Sequence, residues 1–190
     1  AAAQQRGWDV SGIEPTPGHA LYAREALGLD VRPDYLHEDS FEPESFDVIT
    51  SLQVFEHVEE PAAELAKLLR ILKPGGLLVI EIPSIDSPLV RVLKSRHRHF
   101  VPDHFWYFDK TTLPAFVERG GFEVRGTVNL TNHYAKTGAA WYERMMQHAD
   151  EVEALMGRER FQAWRVFLAG ASGDMAEGGI HVHRIYCRAV

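Results

Sequence analysis

At 190 residues, with 45% hydrophobic and 25% charged side chains, the chain has the size and composition of one ordinary globular α/β domain, which excludes fibrous and disordered classes. A formal net charge of −7 without a basic block argues against a nucleic-acid or anionic-membrane partner and favours a small-molecule one. A single cysteine, Cys187, excludes an internal disulfide framework and fits a reducing, cytoplasmic setting, and no apolar run reaches the roughly 18 residues of a membrane span.

Residues 1–7 read as a helix tail closed by Gly7, with no initiator Met or signal pattern, so the chain is expected to begin inside a longer protein. A short strand is predicted over 8–13, an amphipathic helix over 18–29 after the turn Pro15-Thr16-Pro17, and an extended segment over 31–36. Residues 46–52 form an apolar strand, and 61–72 a helix with Pro61 in its first turn, stopped by Lys73-Pro74-Gly75-Gly76. The run 77–82 is continuously apolar except for Glu81, as in a strand covered on both faces. Residues 84–109 lack periodicity and read as a lid or substrate loop. A helix over 111–119 closes at Gly120-Gly121, a strand follows over 122–130, two helices joined near Gly157 fill 137–171, and an alternating strand ends the chain over 180–190. Alternating β and α elements with short connections predict a doubly wound, mostly parallel sheet.

Glu14 stands where the first strand ends. A carboxylate there faces the crevice in which such sheets bind ligands and can accept hydrogen bonds from both ribose hydroxyls; an exposed turn residue is the alternative. In dinucleotide-type sites this acid lies about 20 residues after the glycine-rich turn, and only 13 residues precede Glu14, so the glycine loop and the first strand are expected upstream of residue 1.

The segment Gln53-Val54-Phe55-Glu56-His57 offers one carboxylate and one imidazole, too little charged oxygen for a hard cation. His57 reads either as a general base, because imidazole titrates near neutral pH, or, with Glu56, as the opening of the next helix. In Arg96-His97-Arg98-His99-Phe100-Val101-Pro102-Asp103-His104-Phe105-Trp106-Tyr107-Phe108, His-x-His lacks the Cys or His partners of a zinc site, so no metal is expected. Aromatics with interleaved Arg and His suit a water-excluding acceptor pocket, with His104 and Trp106 as the leading candidates beside Phe105; a surface loop pinned by its aromatics is the alternative. Trp141, Tyr142, Met145 and Met146 recur at helical spacing, as a core stripe or as the lining of an apolar pocket. His181 and His183 fall on one face of the last strand, where packing or surface roles are expected rather than ligation.

The ordered stretches FEPESFDVI (41–49), LQVFEHV (52–58) and LKPGGLLVI (72–80) resemble the class I S-adenosylmethionine-dependent methyltransferases, especially the small-molecule group that includes ubiquinone-biosynthesis O-methyltransferases. The resemblance spans most of residues 6–130. More weakly, 161–170 and 178–185 resemble the tail of cyclopropane-fatty-acid synthases, where a helical pair covers the acceptor pocket. The resemblance implies one domain over 1–190 with a Rossmann-like, doubly wound, mostly parallel seven-stranded sheet of order 3-2-1-4-5-7-6, lacking its first strand in this chain. The loop 84–109 would face the substrate and the helices over 137–171 would cover it. By the same resemblance Glu14 would hold the cofactor ribose, and Leu36, His37 and Glu38 would lie by the adenine. Ser51, Leu52 and Gln53 would line the methyl-donor side; Trp141 and Tyr142 would join Phe105 and Trp106 at the acceptor. The Lys-Pro-Gly-Gly turn would be structural. Some quinone O-methyltransferases bind a divalent ion through Glu-x-x-Glu-His; Gln53 replaces the first acid, so no metal dependence is expected. The implied reaction is methyl transfer from S-adenosylmethionine to an oxygen, nitrogen or carbon of a small molecule. The alternatives are a non-catalytic scaffold of the same fold and, more distantly, a nicotinamide oxidoreductase.

Overall fold

A computed structural model describes residues 1–97 and 100–190; Arg98 and His99, within the expected His-x-His pattern, lie outside the described residues. The chain forms two compact units, Ala1–Glu42 and Pro43–Val190.

In the first unit a 3-10 turn, Gln4–Arg6, ends at Gly7, whose φ of 83° turns its amide back to the Gln4 carbonyl. Strand β1 (Ser11–Ile13) connects through helix α1 (Pro17–Glu25) to β2 (Asp30–Arg32), and the two strands pair in parallel as Ser11 with Asp30, Gly12 with Val31 and Ile13 with Arg32. These strands are shorter than the segments 8–13 and 31–36 suggest, because only three residues of each find a ladder partner and Trp8 is half exposed. Helix α1 likewise stops at Glu25, short of residue 29.

The second unit is a four-stranded mixed sheet of order β3-β4-β6-β5, with β3 (Phe46–Leu52), β4 (Leu72–Ser84), β5 (Phe122–Asn129) and β6 (His181–Ala189). The β3–β4 pair is parallel across helix α2 (Pro61–Ile71), and β6 runs antiparallel to both β4 and β5. The β1-β2 and β3-β4-β6-β5 orders are those expected of strands 2-3 and 4-5-7-6.

Residues 77–82 of β4 are apolar except for Glu81 because both faces of the strand are covered there: Leu78, Ile80 and Ile82 are buried on one face and Val79 and Glu81 on the other, and Val182, Ile185 and Cys187 of β6 are buried as well. Helix α2 contributes Leu65, Leu68 and Ile71, and helix α4 (Thr112–Arg119) contributes Leu113 and Val117, spaced so that each set lines one helical face. Gly120, at the end of α4, abuts Leu65 so closely that a Cβ there would fall on the leucine side chain. The Lys73-Pro74-Gly75-Gly76 stretch is the irregular start of β4: pairing shifts between Phe46 with Leu72 and Val48 with Leu77, and Gly75 has φ 78°. A Cβ on Gly76 would meet the Lys73 carbonyl oxygen at 2.9 Å, so this position requires glycine.

Two further regions differ from expectation. The segment 84–109 contains a short helix, α3 (Pro88–Leu93), and a 3-10 turn, Lys94–Arg96; Ser87 caps α3 by accepting the Val90 amide at 3.1 Å. In place of two helices over 137–171 there are three: α5 (Thr131–Gln147), α6 (Ala149–Met156) and α7 (Arg158–Ala176). They break at His148 and at Gly157, whose φ of 82° suits only glycine comfortably. No helix among the described residues is long and apolar enough to cross a membrane.

Candidate active site

In the first unit, Glu14 directly follows β1, and its Oε1 accepts the Thr16 amide at 2.8 Å. That hydrogen bond holds the carboxyl below the usual range, and His19, 3.8 Å away, adds to the effect. The carboxylate therefore stays ionised near neutral pH, with acceptor capacity left for a diol. Leu36, His37 and Glu38 follow β2 in a loop rather than a strand, with the His37 amide donating to Ser40 Oγ at 2.8 Å and its ring 3.1 Å from Asp34.

In the second unit, Ser51 and Leu52 close β3 opposite Ile80 and Glu81 of β4. Gln53 follows in the left-handed region at φ 56°, held there by its amide donating to the Glu81 carbonyl at 2.8 Å. A non-glycine residue in this region is uncommon and stores backbone strain, which clusters at functional positions. The Glu81 side chain is only 1% exposed, and a charge in that setting must be paired. Arg184 of β6 supplies the pair, its Nε 2.8 Å and its second guanidinium nitrogen 2.6 Å from Glu81 Oε2. Tyr134 of α5 donates its hydroxyl to Glu81 Oε1, and burial together with this carboxylate pushes the phenol up to about 12, so it remains a donor. The Gln53 amide approaches the same oxygen at 3.4 Å.

Next along the chain, the 3-10 turn Phe55–His57 buries Phe55 and Glu56 and leaves His57 40% exposed. Burial pushes the Glu56 carboxyl above its usual range, and the charges of Glu81 and Asp103 act in the same direction. Its Oε2 has no hydrogen-bond partner among the described residues. The backbone carbonyl of Glu56 accepts the amides of Phe105 at 2.8 Å and Trp106 at 3.3 Å, and the Trp106 indole donates to the Glu59 carbonyl at 3.3 Å. These bonds pin the far end of the 84–109 segment onto the Glu56 turn. His104 thereby meets His57 edge to face, with ring centroids 4.7 Å apart. Burial, and then the neighbouring His57, hold His104 below the ordinary imidazole value.

His57 Nδ1 lies 2.8 Å from the Asp103 carbonyl oxygen. A carbonyl only accepts, so Nδ1 carries the proton, and in the neutral ring Nε2 is the basic nitrogen. The arrangement orients an imidazole in the tautomer needed to take a proton from an acceptor group.

The structure thus brings His57, His104, Phe105 and Trp106 together, and places Ser51, Leu52 and Gln53 on the carboxyl end of β3. Trp141, 56% exposed, and Tyr142 lie on α5, which packs chiefly on α7. Glu81, Tyr134, Arg184 and Asp103 are absent from the sequence-derived set. Only Glu81 carried a signal, as the one charge in an apolar run. Of the expected histidine pattern 97–99, His97 is buried, and His99 lies outside the described residues.

A family model described as a methyltransferase domain matches residues 1–126. The 2-methyl-6-phytyl-1,4-hydroquinone methyltransferase of Synechocystis is 29% identical over 164 residues, covering 76% of this chain and 48% of that protein. The ubiquinone biosynthesis O-methyltransferase of Pseudomonas aeruginosa is 27% identical, covering 68% and 62%. The chain therefore spans about half the length of the first relative and under two thirds of the second. A mycolic acid cyclopropane synthase, solved in complex with SAH and CTAB, superposes with a TM-score of 0.79 at 21% identity over 98% of this chain and 72% of that one, a likeness of fold. With the family model covering well over half its length and its sheet following the expected strand order, the chain belongs to the class I S-adenosylmethionine-dependent methyltransferases, in the methyltransferase-domain family.

Proposed function

We propose that the protein transfers the methyl group of S-adenosylmethionine to an oxygen, nitrogen or carbon of a small-molecule acceptor, with His57 as the proton acceptor. The observation that carries the reading is the Asp103 carbonyl fixing the His57 tautomer beside an aromatic loop. Family membership, the hydroquinone and ubiquinone relatives, and the SAH-bound cyclopropane synthase support it.

The residues of each unit suit the cofactor's chemistry: in the first, an ionised Glu14 offers oxygens to a ribose diol; in the second, Ser51 and Leu52 end β3 and Gln53 follows in the left-handed region. When bound, the cofactor supplies an electrophilic methyl on a sulfonium. Leu36, His37 and Glu38 are assigned to the adenine side, and Phe105, Trp106, Trp141 and Tyr142 to the acceptor. The aromatic groups exclude water and orient the attacking atom, which is where most of the rate enhancement arises in such a displacement. His57 Nε2 takes the proton when the acceptor must lose one, and His104 packs edge to face against the same ring. The buried Glu81–Arg184–Tyr134 network holds the end of β3 in place.

The test is calorimetric titration of S-adenosylmethionine into the full-length protein, followed by a mass-spectrometric screen of metabolites for the gain of one methylene unit. Saturable binding and a methylated product are expected. His57→Ala should keep cofactor affinity and lose roughly 10²- to 10⁴-fold in turnover. Unchanged turnover would remove His57 from the mechanism. Absence of cofactor binding would leave the fold as a scaffold module.

A further inference from the structure

Glu81 and Arg184 face each other across the β4–β6 ladder, and successive side chains alternate faces. The pairs Ile82–His183 and Ser84–His181 therefore lie on the opposite face of the sheet from the Glu81 network. On that face Asp86, just past the end of β4, turns back: its Oδ1 accepts Ser84 Oγ at 2.9 Å and lies 3.0 Å from His181 Nδ1. One ligand atom each from Asp86, His181 and His183 lies within 4.8 Å of the other two. The Asp86 and His181 side chains are 6% and 22% exposed, and His183 is 7% exposed.

Two observations set this trio apart from an ordinary Asp–His pair. His183 Nδ1 is buried and has no hydrogen-bond partner among the described residues, a costly state for a polar atom unless something else meets it. His181 also lines a cavity of about 510 Å³ with Asn129, Thr131 and Glu177, which gives an ion and its remaining ligand a route in.

We propose that Asp86, His181 and His183 bind a divalent transition-metal ion, Zn²⁺ fitting the donor set best, as a clamp between the end of β4 and the start of β6. Two imidazoles and one carboxylate suit a borderline-soft ion, whereas Mg²⁺ and Ca²⁺ want more oxygen. The Asp86–His181 spacing of 3.0 Å is already close to that of two donors on one ion, with metal–ligand bonds of about 2.0–2.2 Å. The ion takes the place of the proton between Asp86 and His181 Nδ1, which passes to His181 Nε2 or to solvent, and a modest turn of the His183 ring completes a three-residue site with one position open towards the cavity. Neutral imidazole is the form that ligates. The clamp fixes the root of the 84–109 segment, whose far end carries His104, Phe105 and Trp106.

Glu56, His57 and His104 form a second Glu/His group, and this provides an internal control. The full chain, stripped with a chelator, is titrated with Co²⁺ followed by visible absorption and then by Zn²⁺ competition. One tetrahedral-type site per chain is expected, weakened at least about tenfold by Asp86→Asn and by His181→Gln, and unchanged by Glu56→Gln with His57→Gln. Absence of binding overturns the proposal, as does binding that survives Asp86→Asn but disappears with the Glu56/His57 changes. If the Asp86 and His181 variants lose their fold by circular dichroism, paramagnetic shifts in the Co²⁺-loaded parent chain decide: His183 ring signals shifted supports the site, and His57 ring signals shifted instead overturns it.

Discussion

Glu81 is held out of water in the middle of an apolar strand, so its charge is tolerated only through Arg184 and Tyr134. Removing Arg184 while leaving Glu81 strands a buried carboxylate, and Arg184→Met should cost about 3–5 kcal/mol in urea denaturation. Adding Glu81→Leu to that variant should restore most of the loss, because an apolar pair of similar volume no longer needs charge compensation. A double variant as unstable as the single one would show that packing, rather than the unpaired charge, sets the cost. The sequence makes Glu81 visible as an exception to its run but gives no sign of its partners, which lie 103 and 53 positions away. His57 and His104 are legible by residue type in the same way. Their meeting depends on the Phe105 and Trp106 amides finding the Glu56 carbonyl, and no side-chain pattern encodes a backbone bond of that kind.

Punctuation decides how well each element can be read. Helix α2 opens on Pro61 and α4 closes against Gly120, so both were placed to within a residue or so. Helix α5 was not, because its first turn, Thr131-Asn132-His133, is polar and reads as a loop until Asn129 Oδ1 is seen accepting the Thr131 amide at 2.9 Å. Helix α3 is announced only by Ser87-Pro88 inside an aromatic stretch without period. Asp109 performs the capping work for α4: its Oδ1 accepts the amides of Thr111 and Thr112, each at 2.8 Å, and both hydroxyls. Partial burial pushes this carboxyl up, but the four hydrogen bonds outweigh it and hold the group down at about 2, against an ordinary 3.8. A folded-state value below the unfolded one means the stabilisation is present above about pH 4 and is lost as pH falls towards 2. Asp109→Ala should therefore cost roughly 1–2 kcal/mol at neutral pH. Urea midpoints of parent and variant should converge as the solution is acidified through that window; a gap constant with pH would mean the carboxylate is not the cap.

The two units differ sharply in what holds each of them. The second has a central strand paired on both sides and a continuous set of buried residues from β4, β6, α2 and α4. The first has two three-residue strands, a nine-residue helix and, among its residues, only Ala20 fully buried. A two-stranded pair of that size and a helix that short are each marginal in water. Local opening of β1 and β2 should thus need far less free energy than exposing β4, and native-state hydrogen exchange should rank them accordingly. Amides of Ile80, Ile82 and Ile185 should exchange last, by global unfolding, while those of Gly12, Ile13 and Val31 exchange early. Bound ligand adds to the stability of whatever it contacts, so S-adenosylmethionine should slow exchange at Glu14 and Thr16 if the Glu14 carboxylate holds its ribose. Glu14→Ala should abolish that added protection and leave the ranking within the second unit unchanged. Equal protection of both units without cofactor would contradict the stability argument, and cofactor protection that survives Glu14→Ala would contradict the ribose assignment alone.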